Sequence, residues 1–215
     1  MAGEPSASAP TPRPWWRTLH RNPWFLAGAG GIIIVTVMRP FLRHVPDAPP
    51  VVGRLPRFAL TDQEGRRFGS EQLRGKVYVA NFFFTSCRSI CPRLTRAMRS
   101  LHDRFARHEV PVHLVSFSVD PATDTPQRLR GYARENGADS TRWTFLTGPL
   151  EQVRAVVVDG FDTHLGRRRV DRTTSMVDIS HAGVFAIVDG NGGIRGFYSP
   201  DEQGLDEIYH RAQHV

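Results

Sequence analysis

From Lys76 to Phe84 the chain reads K-V-Y-V-A-N-F-F-F, a nearly unbroken apolar run rich in β-branched and aromatic residues. Such a run fits a strand buried on both faces of a sheet. Beyond it Leu94, Met98, Leu101 and Phe105 recur at helical spacing, predicting an amphipathic helix. Val110–Val119 reads as a second buried strand. Thr125 then stands as N-cap before Pro126 at the first helical position. Trp143–Leu146 predicts a short strand and Leu150–Val158 a helix, whereas 160–180 has no clear period. Val184–Val188 and Ile194–Tyr198 predict strands joined through D-G-N-G-G, a strong hairpin signal, and a last helix covers roughly Glu202–Gln213. Upstream, F-A-L-T-D-Q-E-G-R-R-F predicts a small hairpin around Gln63-Glu64-Gly65. The order βαβα followed by a β-hairpin and a helix is the thioredoxin arrangement: an α/β fold with a mixed sheet and helices on both faces.

The first 54 residues follow other rules. Residues 1–21 begin with a Pro-, Ala- and Ser-rich stretch expected to form a disordered tail. Trp24–Met38 is uncharged over 15 residues, about 22 Å of helix against a hydrocarbon core of roughly 30 Å. With Arg21 and Arg39 snorkelling and tryptophans at the interface, residues 22–42 are expected to form a short transmembrane anchor. The rival reading is a cleaved signal peptide, but no A-x-A-like site follows Met38, and no cysteine follows that would permit lipidation. Residues 43–54 hold Pro46, Pro49 and Pro50 and read as a stiff linker, leaving 55–215 as the globular domain.

The formal charge of +7 raises the question of nucleic acid. Lys76 is the only lysine, and the other 27 basic residues are arginines scattered along the chain. No zinc-finger spacing, basic helix or RNA-binding aromatic motif accompanies them, so no nucleic-acid partner is expected. Arg167-Arg168-Arg169 is the one dense run; it reads as a solvated loop before it reads as a docking patch for an acidic partner or anionic lipid.

Cys87 and Cys91 are the only cysteines. A bridge between them would close a trivial loop and staple nothing distant, so the pair reads as chemistry. It follows directly on a buried strand, where the ligand sites of α/β sheets gather. If the segment is helical there, an i, i+4 pair puts both sulfurs on one side, and the helix N-terminus and Arg88 favour thiolates. Two close thiolates can ligate a soft metal or exchange with disulfides; alone they make a poor zinc site but suit Cu(I). A third ligand would come from the nine histidines. His20 and His44 flank the anchor, His102 and His108 fall on a helix surface, His113 is in a strand, and His210 and His214 end the chain. His181, just before the final hairpin, can reach the cysteine loop in this fold, although a structural role is as good a reading of its position. His164 is the weaker candidate.

The chain resembles the Sco/SenC family of membrane-anchored copper proteins that help assemble the copper centre of cytochrome c oxidase. The resemblance runs from about Gly53 to the C-terminus. It is carried by L-P-R-F-A-L-T-D-Q-E-G, N-F-F-F-T-S-C, C-x-x-x-C-P, S-V-D-P-A-T-D-T-P with its following L-x-x-Y-A, W-T-F-L-T-G, and the histidine before V-F-A-I-V-D. It implies copper, Cu(I) or Cu(II), held by Cys87, Cys91 and His181. It also implies delivery to the copper-bearing subunit of the oxidase or another copper protein, at the extracytoplasmic side of the inner membrane. Two positions depart from the family pattern. Arg88 and Ser89 stand where a proline and an acidic residue are usual, and Ser180 stands where Asp commonly precedes the histidine. The alternative function is thiol–disulfide exchange, with Cys87 attacking and Cys91 resolving; dedicated oxidoreductases generally use C-x-x-C. A peroxidase shares the fold, but no peroxidatic pattern surrounds Cys87.

Overall fold

The apolar run over Tyr78–Phe83 becomes the central strand of the fold, in a computed structural model that describes residues 23–42, 48–161 and 183–215. The chain divides into two units, Met1–Pro46 and Asp47–Val215. In the first, the described residues form one helix, α1 (Pro23–Leu42, 20 residues), on which Trp24, Ile32, Ile33, Ile34, Val35 and Val37 are exposed. Among the described residues no helix is long and apolar enough to cross a membrane. Residues 23–42 are helical, as an anchor requires, but the uncharged stretch, closed by Arg39, falls short of the full span expected of a transmembrane segment. The tail 1–21 lies outside the described residues.

The second unit is built on one eight-stranded sheet. Its strands in chain order are β1 (Gly53–Arg54), β2 (Ala59–Asp62), β3 (Arg67–Gly69), β4 (Tyr78–Phe83), β5 (His113–Ser118), β6 (Trp143–Thr147), β7 (Phe185–Val188) and β8 (Gly193–Tyr198). Across the sheet they run β1-β8-β7-β4-β5-β6-β2-β3. β4, β5 and β6 are parallel, and every other pairing is antiparallel. Among the described residues the sheet is accompanied by four α-helices: α2 (Cys91–Arg107), α3 (Pro126–Glu135), α4 (Leu150–Arg154, continued by π-helical turns over Ala155–Phe161) and α5 (Glu202–Arg211).

The alternation of side chains along the strands builds two cores. Val79, Phe83, Leu114, Trp143, Phe145, Phe185 and Ile187 face α2, α3 and α5. Tyr78, Ala80, Phe82, Val115, Phe117, Leu146 and Val188 face α4. All six residues of β4 are buried, which is why its sequence shows no polar side. The one polar residue in it, Asn81, accepts from the Ser116 hydroxyl at 2.6 Å, and Ser116 accepts from the Trp143 indole at 2.9 Å. The observed fold is thus the expected mixed sheet covered by helices on both faces. Thr125 caps α3, its hydroxyl accepting from the Arg128 amide at 3.3 Å.

Two features differ from the expectation. Part of the stretch read as a linker over 43–54 joins the sheet: Val52 donates to Ile194, Leu55 to Gly192, and Arg195 to the Pro49 carbonyl. His102, expected on a helix surface, is buried against Trp143 with its Nδ1 at 3.0 Å from Asp103.

His113 is held as a structural residue, stacked on Phe68 with its Nε2 at 2.8 Å from the Thr144 hydroxyl. Burial, aided by the charge of Lys76, lowers its pKa from 6.5 to about 4. The unfolded chain therefore binds this proton more readily than the folded one, so stability is full above pH 6.5 and is lost as the pH falls toward 4. Urea midpoints measured across that window are expected to decline, and His113→Gln is expected to flatten the decline.

Candidate metal centre

β4 ends at Phe83, and the chain turns before entering α2, with the Cys87 amide donating to the Phe84 carbonyl at 3.2 Å. Cys91 is the first residue of α2. The two cysteines therefore meet across a helix entry: Cys87 lies in the preceding loop, and not one turn along the same helix as the i, i+4 reading expected. Both are free thiols, 8% and 1% exposed respectively. Arg88 and Ser89 between them point to solvent, apart from the Ser89 hydroxyl, which lies 3.5 Å from the Cys87 sulfur.

The two sulfurs differ sharply in acidity. Burial works to raise the Cys87 pKa, but hydrogen bonds from the Cys91 thiol, the Ser89 hydroxyl and the backbone amides of both outweigh it, leaving the group at about 7. Cys91 is pushed up to about 12, first by burial, then by holding its proton toward Cys87 and by the negative charges of Cys87 and Asp124. Near neutral pH Cys87 is therefore part thiolate, whereas Cys91 keeps its proton. Of the two, Cys87 is the sulfur more readily ionised.

Beneath the loop lies a residue that the sequence reading did not single out. Asp124 is fully buried and accepts from the Ser118 hydroxyl at 2.6 Å, from the Thr85 amide at 3.1 Å, and from the Thr85 hydroxyl. The Arg128 Nε lies 3.9 Å from the carboxylate and donates to the Thr85 hydroxyl at 2.6 Å. These donors repay the cost of burying the charge. Ser118 and Asp124 both belong to the S-V-D-P-A-T-D-T-P segment, which was the available signal.

No group of three His, Cys, Asp or Glu able to hold a metal occurs among the described residues. His181 and the weaker candidate His164 lie outside them, as does Arg167–Arg169. The nearest described point to His181 is Gly183, in a left-handed turn at φ +58°. A Cβ there would sit 2.8 Å from Ile90 of the cysteine loop and 3.6 Å from Leu94 of α2. The start of β7 thus packs on the cysteine loop, as its antiparallel pairing with β4 requires. Two buried soft sulfurs with one proton between them fit a thiophilic ion such as Cu(I). In the reduced, metal-free chain, the rate of alkylation by iodoacetamide is expected to inflect near pH 7 and to report Cys87 alone. Ser89→Ala is expected to move the inflection upward; mass spectrometry of the labelled cysteine checks both.

Residues 51–215 match the SCO1/SenC family. The SCO1 protein homolog of Bacillus subtilis is 37% identical over 91 residues, 42% of this chain and 47% of that one; the match spans about half of that relative's length. A Stutzerimonas stutzeri protein, described as a candidate copper-binding protein, is 34% identical over 145 residues, 66% of this chain and 67% of its own. Among solved structures, BsSco is described as a member of the Sco family of cytochrome c oxidase assembly proteins with a disulfide switch. It superposes with a TM-score of 0.66 at 26% identity, covering 80% of this chain and 97% of that one. With its sheet, its cysteine loop and most of its length accounted for in this way, the chain belongs to the SCO1/SenC family.

Proposed function

We propose that this chain is a membrane-attached copper carrier that holds copper through Cys87, Cys91 and His181 and passes it to the copper-bearing subunit of cytochrome c oxidase or another copper protein. The observation that carries the reading is the pair of buried sulfurs sharing one proton at the end of β4. Two thiolates and an imidazole suit copper in either oxidation state, with sulfur favouring Cu(I). The contact of Gly183 with Ile90 supports His181 as the third ligand, because two residues of chain reach only about 7 Å. Copper is cargo in this reading, released by exchange of ligands with the acceptor. The descriptions of the Stutzerimonas protein and of BsSco support the metal and the target.

The asymmetric thiols also favour a second reading, thiol–disulfide exchange. The Cys87 thiolate attacks one sulfur of a target disulfide, forming a mixed disulfide and expelling the other target sulfur as a thiolate. Cys91 then loses its proton and attacks the Cys87 sulfur, closing the Cys87–Cys91 disulfide and releasing the second target thiolate. Two electrons pass to the target, and the domain is left oxidised.

The helix α1 supports attachment to a membrane through its exposed Ile32–Val35 and Val37, with Arg39 reaching the interface. The sheet domain is assigned to the extracytoplasmic side, where copper-bearing oxidase domains are met in the reading above.

Anaerobic titration of the reduced full chain is expected to give one Cu(I) per chain. Cys87→Ser and Cys91→Ser are expected to abolish stoichiometric binding, and His181→Ala to weaken it by at least about tenfold, a scale usual for changes in a metal's ligand environment. Retention of full affinity and an unchanged copper spectrum in His181→Ala would remove the histidine from the site. Disulfide reduction that survives His181→Ala alongside lost copper binding would favour the exchange reading. Membranes washed with alkaline carbonate are expected to retain the full chain and to release a form lacking residues 1–46; release of both would refute attachment through α1.

A further inference from the structure

At the end of β4 away from the cysteines, the sheet carries a cavity of about 570 Å³ on the face covered by α4. Its wall comes from the segment entering β2, the first residue of β3, the turns between β3 and β4, the start of β4, and the β7–β8 turn. Arg57, Arg67 and Arg74 line it. All three are exposed, and none forms an ion pair among the described residues. Tyr78 closes the inner side, only 2% exposed, with no hydrogen-bond partner for its hydroxyl among the described residues.

Apart from the exposed Glu71 carboxylate, the side-chain acceptors around this cavity are already engaged. The Ser70 hydroxyl oxygen accepts from the Phe58 amide at 3.0 Å, and the Gln72 carbonyl oxygen from the Gly69 amide at 2.8 Å. The Asp189 carboxylate accepts from the Asn191 and Gly193 amides and from Arg195, each at 2.8 Å. The donors are free: three guanidiniums, the Tyr78 hydroxyl, the Ser70 hydroxyl proton and the Gln72 amide. Burial, reinforced by the charge of Asp189, keeps the Tyr78 phenol protonated and therefore a donor. Glu71 is the one exposed carboxylate in the wall that opposes an anion.

We infer that this cavity is an oxyanion site that takes a phosphate-bearing ligand, recognised by Arg57, Arg67, Arg74 and the Tyr78 hydroxyl. Guanidiniums match phosphate oxygens in pairs, and a wall of donors with engaged acceptors selects a ligand made of acceptors. The volume exceeds that of a single phosphate ion and suits a phosphorylated small molecule or a phospholipid headgroup. The site is separate from the cysteine loop and does not depend on the copper reading.

The test uses the full chain in a non-ionic detergent, titrated by calorimetry with inorganic pyrophosphate in one arm and dihexanoyl phosphatidylglycerol in the other. At least one probe is expected to bind at one per chain with a Kd of about 1 mM or tighter. Pyrophosphate alone binding assigns a soluble ligand; both binding in competition assigns a headgroup. The variant R57Q/R67Q/R74Q is expected to lose at least about tenfold in affinity, a modest total for three charged hydrogen-bonding groups. Glu71→Gln, which disturbs no core residue, is expected to gain about two- to fivefold, the scale of one exposed charge interaction. Copper binding and thermal melting of each variant report its folding. Kd values weaker than 1 mM for both probes, or equal affinity in the wild type and in either a folded R57Q/R67Q/R74Q or a folded Tyr78→Phe, would overturn the assignment.

Discussion

The cysteine loop depends on a buried negative charge. The β4–β5 ladder runs as far as Phe83 and Ser118, and beyond it Asp124 ties the loop after β4 to the end of β5 and to the turn before α3. Ser118 ends β5, Thr85 follows β4, and Asp124 itself precedes α3. Parallel strands leave their C-terminal ends open, which is why α/β sheets place ligand sites there. The same openness leaves the loops without a ladder to hold them. A carboxylate with several donors supplies what the ladder does not, and it does so in a low-dielectric setting where each bond to charge is strong. The clamped Thr85 lies inside the turn that the Cys87 amide closes on Phe84, so the freedom of that turn is limited.

The same charge helps to divide labour between the sulfurs. Asp124 disfavours a second anion near it and contributes to keeping Cys91 protonated, while Cys87 takes the hydrogen bonds that favour a thiolate. A metal entering this pair meets one ready donor and one that must give up a proton. In the proposed copper role, loading would therefore be coupled to proton release, and unloading to proton uptake. Arg88, exposed in the same loop, would offset the single negative charge of the proposed Cu(I)-dithiolate. A loop with proline and an acidic residue at these positions would add to that charge instead.

Much of this was legible because burial leaves a mark on sequence. β4 reads as one apolar run because helices cover both faces, and the α3 cap reads directly from Thr125-Pro126. The D-G-N-G-G turn likewise announces the β7–β8 hairpin. What escaped has physical reasons. β1 pairs through only two residues and backbone bonds, so no periodicity marks it. His102 borders the stripe of Met98 and Phe105 on α2, and a polar residue at the margin of an amphipathic face looks solvent-facing until its neighbours are placed. Asp124 stands among Thr, Asp and Pro, a composition that signals a turn, and a turn residue gives no sign of being buried. The cysteine spacing allowed a helical pair, but the helix begins only at the second cysteine, and where a helix starts is the least legible part of its pattern.

The sheet also separates its two candidate sites by charge type. The cysteine end presents the more acidic thiol, Cys87, and a buried carboxylate, whereas the Tyr78 end presents guanidiniums with no ion pair among the described residues. Six residues of β4 set them about 20 Å apart along the strand, roughly two Debye lengths at physiological ionic strength. Arginines exposed at one end are screened before they reach the thiols at the other. An anion held in the far cavity would leave the Cys87–Cys91 proton where it is, so the fold can carry a metal at one end and an anionic contact at the other without either setting the affinity of its neighbour.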